Sequence, residues 1–124
     1  MKSSIRTLFG VGLLGALLAA APAFAKCTVT LKITNDNDKK VTVLGNDSQA
    51  RVNGGLWSKM GFQNTVIKAG ESADVPWTTN MKCGGSAKRD LRFKYQEPNN
   101  AVFEEMVNDI DISDGGTVRV KLKH

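Results

Sequence analysis

The run CTVTLKIT, residues 27–34, decides the fold because apolar and polar side chains alternate along it. Four apolar side chains share one face of such a run: Cys27, Val29, Leu31 and Ile33. Successive side chains of a β-strand point to opposite sides, so this period of two predicts a strand with one buried face. The polar residues 35–38 then predict a turn, and residues 41–44 predict the returning strand of a hairpin.

Short runs of the same kind recur along the chain and are separated by residues that favour turns. They are residues 41–44, 50–52, 65–67, 73–77, 91–95 and 118–122. Residues 101–112 fit a helical period about as well as a bulged strand, and we favour a strand because Ile110 and Ile112 alternate before a turn. About seven or eight short strands with almost no helix predict an all-β fold, a single antiparallel β-sandwich.

Cys27 and Cys83 are the only two cysteines of the chain. In an exported protein, an even pair of cysteines predicts a disulfide. Cys27 falls on the inward face of its strand, so the bridge would tie that strand to the core. Closing the loop between them, about 57 residues long, stabilises a fold by about 4 kcal/mol in the chain-entropy model.

The first 25 residues have the three parts of a secretory signal peptide. Lys2 and Arg6 precede an uncharged apolar stretch, residues 8–20, and Ala23-Phe24-Ala25 supplies the small residues that signal peptidase requires. The alternative, a retained membrane anchor, would need about 20 apolar residues. We therefore expect cleavage after this leader, one domain over residues 26–124, and a location in the periplasm or outside the cell.

The charge balance of the chain is mildly basic. There are 17 Lys and Arg against 12 Asp and Glu; Lys2 and Arg6 leave with the leader, so 15 remain against 12, a net charge of +3. This excess does not call for nucleic acid as a partner, and we expect a monomer. Six cationic residues fall on outward strand faces: Lys32, Arg92, Lys94, Arg119, Lys121 and Lys123. If their strands are neighbours, they form a basic stripe suited to anionic lipid, glycan or an acidic protein; otherwise they are an ordinary solvated surface.

The composition excludes most enzymatic arrangements. The sole histidine is His124, the last residue, and both cysteines belong to the predicted disulfide. Neither a Ser/His nor a Cys/His couple can therefore form. Glu104 and Glu105 are adjacent on a predicted strand, so they point to opposite sides and do not make an acid–base pair. We expect a protein without enzymatic activity.

Residues 109–115 resemble the opening of a calcium-binding loop, since carboxylates stand at alternate positions. Asp114, however, stands where such a loop needs glycine, and Val120 stands where it needs glutamate. A strand that ends in an acidic turn accounts for the pattern more simply. We expect no bound metal and no small-molecule cofactor.

The segment NGGLWSKMGF, residues 53–62, combines turn-forming glycines with large apolar side chains. In one interpretation, which we favour, Leu56, Trp57 and Phe62 fold back and cap an open end of the sandwich, while Lys59 and Met60 stay exposed. In the other, the loop displays its apolar residues as an anchor for a partner or a membrane interface. The binding hypothesis names six residues: Leu56, Trp57, Lys59, Met60, Phe62 and Trp77.

The order of several short strings resembles that of the aegerolysins, small β-sandwich proteins that bind membrane lipids, some with a pore-forming partner. The strings are Val29–Asn35, Lys40–Leu44, Leu56-Trp57-Ser58-Lys59 and Val66–Ser72, and the likeness covers roughly residues 28–95. The resemblance implies lipid contact through the Trp57 loop. It ends at Tyr95, and the cleavable leader departs from many relatives.

Two functions follow from the sequence as expectations. The first is an exported, non-enzymatic β-sandwich that binds another macromolecule, as an accessory protein, an inhibitor or an effector. The alternative is an aegerolysin-like lipid-binding protein that acts at membrane surfaces. The partner could be a protein, a glycan or a membrane lipid, and co-sedimentation with liposomes separates the two functions.

Overall fold

The structure, a computed structural model, describes residues 26–79, 83 and 88–124, so the predicted signal peptide over residues 1–25 lies outside it. The described residues form nine strands and no helix, and none of them makes a helix able to cross a membrane. The strands are β1 Cys27–Asn35, β2 Val41–Val43, β3 Gln49–Val52, β4 Ser58–Lys59, β5 Thr65–Ile67, β6 Ser72–Thr79, β7 Arg89–Gln96, β8 Val102–Ile110 and β9 Thr117–Leu122. The all-β prediction is confirmed.

Three strands form the smaller sheet, in the order β9-β1-β6. β1 runs antiparallel to β6. β9 runs parallel to β1, with Thr117 opposite Thr30 at one end and Leu122 opposite Asn35 at the other. The prediction of a wholly antiparallel fold is wrong at this pair, because alternation with a period of two is the same in parallel and antiparallel strands.

The other six strands form the larger sheet, in the order β4-β3-β7-β2-β5, with β8 also paired to β7. β8 follows one side of β7, while β3 and β2 pair with the first and second halves of β7 on its other side. The predicted hairpin of β1 and β2 is wrong, since the two strands belong to different sheets. The Asn35 side chain stabilises the passage of the chain from the smaller sheet to the larger one, because its amide donates to the carbonyls of Lys39 and Ile67.

The ambiguous segment, residues 101–112, contains β8, so the preference for a strand is confirmed. Its register with β7 shifts between Val107 and Ile110, and Asp109 has a φ of 57°. A bulge adds an unpaired residue to one strand and moves the later side chains out of step with the period of two. The bulge therefore explains why the sequence fits a helical period as well.

Buried apolar side chains from both sheets belong to one hydrophobic cluster, in which Leu31, Phe93 and Leu122 are fully buried. The Cys27–Cys83 disulfide is present, with the two Cα atoms 5.7 Å apart and a sequence separation of 56. It joins the first residue of β1 to the segment before β7. The predicted disulfide is confirmed.

Candidate interaction face

The loop NGGLWSKMGF does not cap an end of the fold but runs along one edge of the larger sheet. Its centre forms β4, in which Lys59 pairs with Gln49 of β3. Beyond β4 the backbone N–H of Met60 donates to the Ser48 carbonyl at 2.8 Å, and that of Gly61 donates to the Gly45 carbonyl at 3.0 Å. The loop is therefore an added edge strand that is anchored by backbone hydrogen bonds.

Because the loop pairs with β3, its successive side chains point alternately toward the core and away from it. Met60 is only 6% exposed and Phe62 is buried, with its ring centroid 6.1 Å from that of Phe93. The burial expected for Phe62 is confirmed, whereas the exposure expected for Met60 is wrong, because its position points toward the core side of the sheet. Lys59 is exposed, as expected.

Leu56 and Trp57 precede the paired residues, and neither caps the core. Leu56 is 92% exposed, so the burial expected for it is wrong. It lies before the residues of β4, where no ladder fixes its direction. Trp57 is half-buried on the outward side of the larger sheet. Trp77 is buried on β6 in the other sheet, so it does not join the loop in a displayed cluster.

The indole of Trp57 lies on two guanidinium groups. The ζ-carbons of Arg51 and Arg92 are 4.4 and 4.1 Å from the ring centroid. A cation over an aromatic face is attracted by the ring quadrupole, by about 0.5–1 kcal/mol at exposed sites. Both arginines point outward because their chain neighbours Ala50 and Leu91 are buried on the inner face.

Acidic and amide groups hold these two guanidinium groups in place. Arg51 Nε donates to Asp90 Oδ2 at 2.8 Å. Arg92 Nε donates to Gln49 Oε1 at 3.1 Å and lies 3.6 Å from Glu104 Oε2. The indole therefore packs against cations whose positions are already fixed by the sheet.

The carboxylate of Asp90 is itself fixed by two donors. Its Oδ1 accepts the backbone N–H of Asp109 at 2.8 Å, at the bulge of β8, and its Oδ2 accepts Arg51. The hydrogen bond from Asp109, and next that from Arg51, lowers the pKa of Asp90 below its usual value, because both stabilise the charged form. Asp90 stays ionised and keeps Arg51 under the indole.

Exposed apolar side chains gather around the same surface. Within the described residues, the large apolar side chains that are exposed are Leu56, Val66, Val102 and Met106. Met106 lies opposite Arg92 in the β8–β7 ladder, and Val102 lies opposite Gln96. Val66 pairs with Thr42, which in turn pairs with Gln96, so it faces outward on the same side.

We call this surface the Trp57 face. It is the outward side of the larger sheet and carries Arg51, Trp57, Val66, Arg92, Val102 and Met106, with the exposed Leu56 next to Trp57 in the chain. Lys59 and Lys94 border these residues on β4 and β7. Apolar and cationic side chains are thus mixed on one side of the sheet, and its tryptophan is held by contacts with two arginines.

The six cationic residues of the predicted stripe are divided between the two sheets. Arg92 and Lys94 lie on β7 and belong to the Trp57 face. Lys32 on β1 and two cationic residues of β9, Arg119 and Lys121, lie on the smaller sheet, and Lys123 follows β9. A single stripe therefore does not form, although β1 and β9 are neighbours.

Four members of the Trp57 face are not among the binding residues predicted from the sequence: Arg51, Val66, Val102 and Met106. A usable signal was present for the apolar ones. Val66 stands between Thr65 and the inward Ile67, and Met106 stands next to the inward Val107. Both are therefore apolar residues at outward positions of a strand, where alternation leads one to expect polar residues. Such residues are candidates for an exposed contact surface.

A second cluster joins the last residues of the chain to the end of the larger sheet. The His124 ring stacks on Phe103 with centroids 3.7 Å apart, and His124 Nε2 lies 3.1 Å from the buried carboxylate of Glu97. The His124 N–H donates to Asn37 Oδ1 at 3.1 Å. Tyr95 is fully buried beside them, and burial raises the pKa of its hydroxyl. These contacts connect the turn after β1 to β7 and β8, so we assign the cluster to stability.

Comparison of the chain with protein-family models, with curated protein sequences and with solved structures finds no significant match. The function is therefore argued from the geometry of the Trp57 face. In the described parts of the chain, no three His, Cys, Asp or Glu side chains come together as a metal-binding group.

Proposed function

We propose that the protein is an exported, non-enzymatic β-sandwich that binds another protein through the Trp57 face. The sandwich is supported by the single hydrophobic cluster to which both sheets contribute. The binding function is carried by one observation: the exposed large apolar side chains of the described residues lie on or beside the surface that holds Trp57 over Arg51 and Arg92.

The composition of this face fits a protein interface. Aromatic residues, methionine and arginine are enriched at the cores of such interfaces, and tryptophan and arginine dominate binding hot spots. Trp57 and its two arginines are ordered before binding, because the arginines are bonded to groups on neighbouring strands. Preorganised side chains lose less conformational entropy when a partner arrives.

The charges of the face indicate an acidic partner. Arg51 and Arg92 each have a carboxylate within an ion-pair distance. Lys59 and Lys94 form no ion pair with any residue that the structure describes. Four cationic side chains thus face the two carboxylates of Asp90 and Glu104, an excess of two positive charges. A partner surface that pairs acidic residues with apolar ones would complement this face.

A protein fits this surface better than a bilayer does. Leu56 is the most exposed of the large apolar side chains that the structure describes, and burying one leucine contributes only about 1.5–3 kcal/mol. Met60 and Phe62 are buried, and the indole of Trp57 is held flat on its arginines. The exposed Val66 of β5 and the exposed Val102 and Met106 of β8 all lie on the outward face of one sheet, which suits contact with a protein surface. The aegerolysin-like function is thus the alternative outcome of the test.

The test compares three baits in a pull-down from an envelope extract of the native organism. A bait with Val66→Glu and Met106→Glu disrupts the Trp57 face at two exposed positions. A Thr117→Glu bait is the matched control, since Thr117 is exposed on the other sheet. We expect a protein that the wild-type and control baits retain and that the double variant loses.

Retention of the same protein by all three baits would contradict the proposal. A parallel assay tests the alternative by co-sedimentation with vesicles that contain anionic lipid. Vesicle binding that is lost in Leu56→Glu, without a protein specific to the face, would replace the proposed function by lipid binding.

A further inference from the structure

Two cationic side chains lie directly opposite each other on the outward side of the smaller sheet. Arg119 of β9 is the register partner of Lys32 of β1, and Lys121 is the partner of Thr34 in the next outward row. Like charges directly opposite on adjacent strands destabilise a sheet. A conflict of this kind between a local arrangement and stability is characteristic of functional sites.

These four side chains mark the corners of a small rectangle. Side chains opposite each other have Cβ atoms about 5 Å apart, and the next outward row along a strand lies about 6.6 Å away. The structure has a groove of about 250 Å³ here, lined by Lys32, Thr34, Arg119, Val120 and Lys121. Three corners are therefore cationic, the fourth is a hydroxyl, and no carboxylate lines the groove.

Neutralisation of these charges within the protein is weak. Asp74 Oδ1 is 3.8 Å from Lys32 Nζ, and the two side chains are 66% and 42% exposed, so this long, solvent-accessible pair contributes little. Arg119 and Lys121 form no ion pair with a described residue. Lys123 lies outside the group because it pairs with Asp36 at 3.7 Å. On the Trp57 face, by contrast, both arginines have a carboxylate partner.

We propose that this groove binds a tetrahedral oxyanion, the phosphate or sulfate group of a larger ligand. The guanidinium of Arg119 can donate two parallel hydrogen bonds to such a group, and the ammonium groups of Lys32 and Lys121 add point charges. The Thr34 hydroxyl is 2.6 Å from Ser72 Oγ, so Thr34 can donate to the anion while Ser72 donates to Thr34. The bound anion offsets the repulsion between Lys32 and Arg119. This site is independent of the Trp57 face.

The experiment is a titration of the purified protein with inorganic phosphate at constant ionic strength, followed by backbone amide NMR. We expect saturable shifts in residues 30–34 and 117–121. Arg119→Gln should weaken binding about tenfold, because one hydrogen-bonded charge contributes a difference of that size. Lys68→Gln removes an exposed lysine from the turn between β5 and β6 and should bind as the wild type does.

Shifts that increase without saturation, or that are equal in Arg119→Gln and the wild type, would overturn the site. A stability measurement in chloride at low salt is a second readout. Arg119→Gln should raise the unfolding midpoint by removing the like-charge pair, and a lower midpoint would contradict that argument.

A vesicle assay distinguishes the source of the anion. The protein is sedimented with vesicles of phosphatidylcholine alone or mixed with phosphatidylglycerol. Sedimentation only with the anionic vesicles, lost in Arg119→Gln, assigns the site to a lipid phosphate. Saturable NMR shifts without vesicle binding assign it to a soluble phosphate or sulfate group.

Discussion

The ζ-carbon of Arg92 lies 4.1 Å from the centroid of the Trp57 ring, although Trp57 lies in the loop just before β4 and Arg92 lies on β7. Arg51 contacts the same ring from β3. These contacts place a half-buried tryptophan on the outside of the larger sheet rather than in the core. They connect the strand pairing of β3 and β7 to the surface that we propose as the binding face.

Replacement of Trp57 by alanine should lower the free energy of unfolding by about 1–2 kcal/mol, because two cation–π contacts are lost without opening a core cavity. Leu56→Ala is the control and should change it by less than about 0.5 kcal/mol, since Leu56 is almost fully exposed. Urea denaturation measures both. A loss of about 3–5 kcal/mol for Trp57→Ala would instead indicate a buried cap.

Gly45 should be intolerant of a side chain because the loop after β4 passes directly over it. A Cβ atom at Gly45 would lie 1.7 Å from the carbonyl oxygen of Phe62. Gly45→Ala must displace this backbone, and we expect a loss of about 3 kcal/mol or more. Gly54 has a φ of +72° and open space around it, so Gly54→Ala should cost only about 1–2 kcal/mol. Equal losses in thermal or urea denaturation would contradict the close approach.

Asp90 should make the stability depend on acid pH. Its pKa is lowered in the folded state, first by the Asp109 N–H and then by Arg51. Its stabilising contribution is therefore complete above the unfolded value of about 3.9 and is lost as the pH falls through the lower folded value. The unfolding free energy of the wild type should fall across this window, and that of Asp90→Asn should fall less.

An Asp38→Asn variant is the control for this pH dependence, since Asp38 is exposed and its side chain makes no hydrogen bond to a described residue. Urea denaturation at a series of pH values below about 5 measures all three proteins. An identical pH dependence in Asp90→Asn and the wild type would show that the two hydrogen bonds do not lower the pKa of Asp90 in the folded protein.

His124 should contribute to stability although it is the last residue. His124→Ala removes the ring stacked on Phe103 and the partner of the buried Glu97 carboxylate. We expect a loss of about 1–3 kcal/mol, since a buried acceptor is left without its donor. Lys123→Ala removes an exposed ion pair with Asp36 and should cost less than about 1 kcal/mol. Similar small losses for both variants in urea denaturation would contradict the role of His124.

Much of the fold could be predicted from local patterns. The alternation in residues 27–34 and 118–122 predicts β1 and β9, because each has one inward face. The disulfide followed from the count of cysteines and the predicted export. Local alternation does not specify which strands are neighbours, so neither the parallel pair of β1 and β9 nor the facing of Lys32 and Arg119 could be predicted.

The candidate face was harder to predict than the fold. The loop with Trp57 was identified, but its contact with Arg92 depends on the register of β3 and β7, which no local pattern contains. The bulge near Asp109 breaks the alternation of β8 between Val107 and Ile110. The direction of Met106 therefore cannot be deduced by counting back from Ile110. The side of the sheet that Met60 faces depends on the pairing of β4 with β3, and a glycine-rich sequence does not reveal that pairing.

The central claim, that the Trp57 face binds a protein, is tested most directly by hydroxyl-radical footprinting with the partner captured in the pull-down. Methionine is readily oxidised where it is accessible. Met106 is 40% exposed and Trp57 is half-buried on the proposed face, whereas Met60 and Trp77 are buried and serve as internal controls. Oxidation of Met106 and Trp57 should fall when the partner is bound, with the two controls unchanged. Equal oxidation of Met106 and Trp57 in the free and bound protein would contradict the claim.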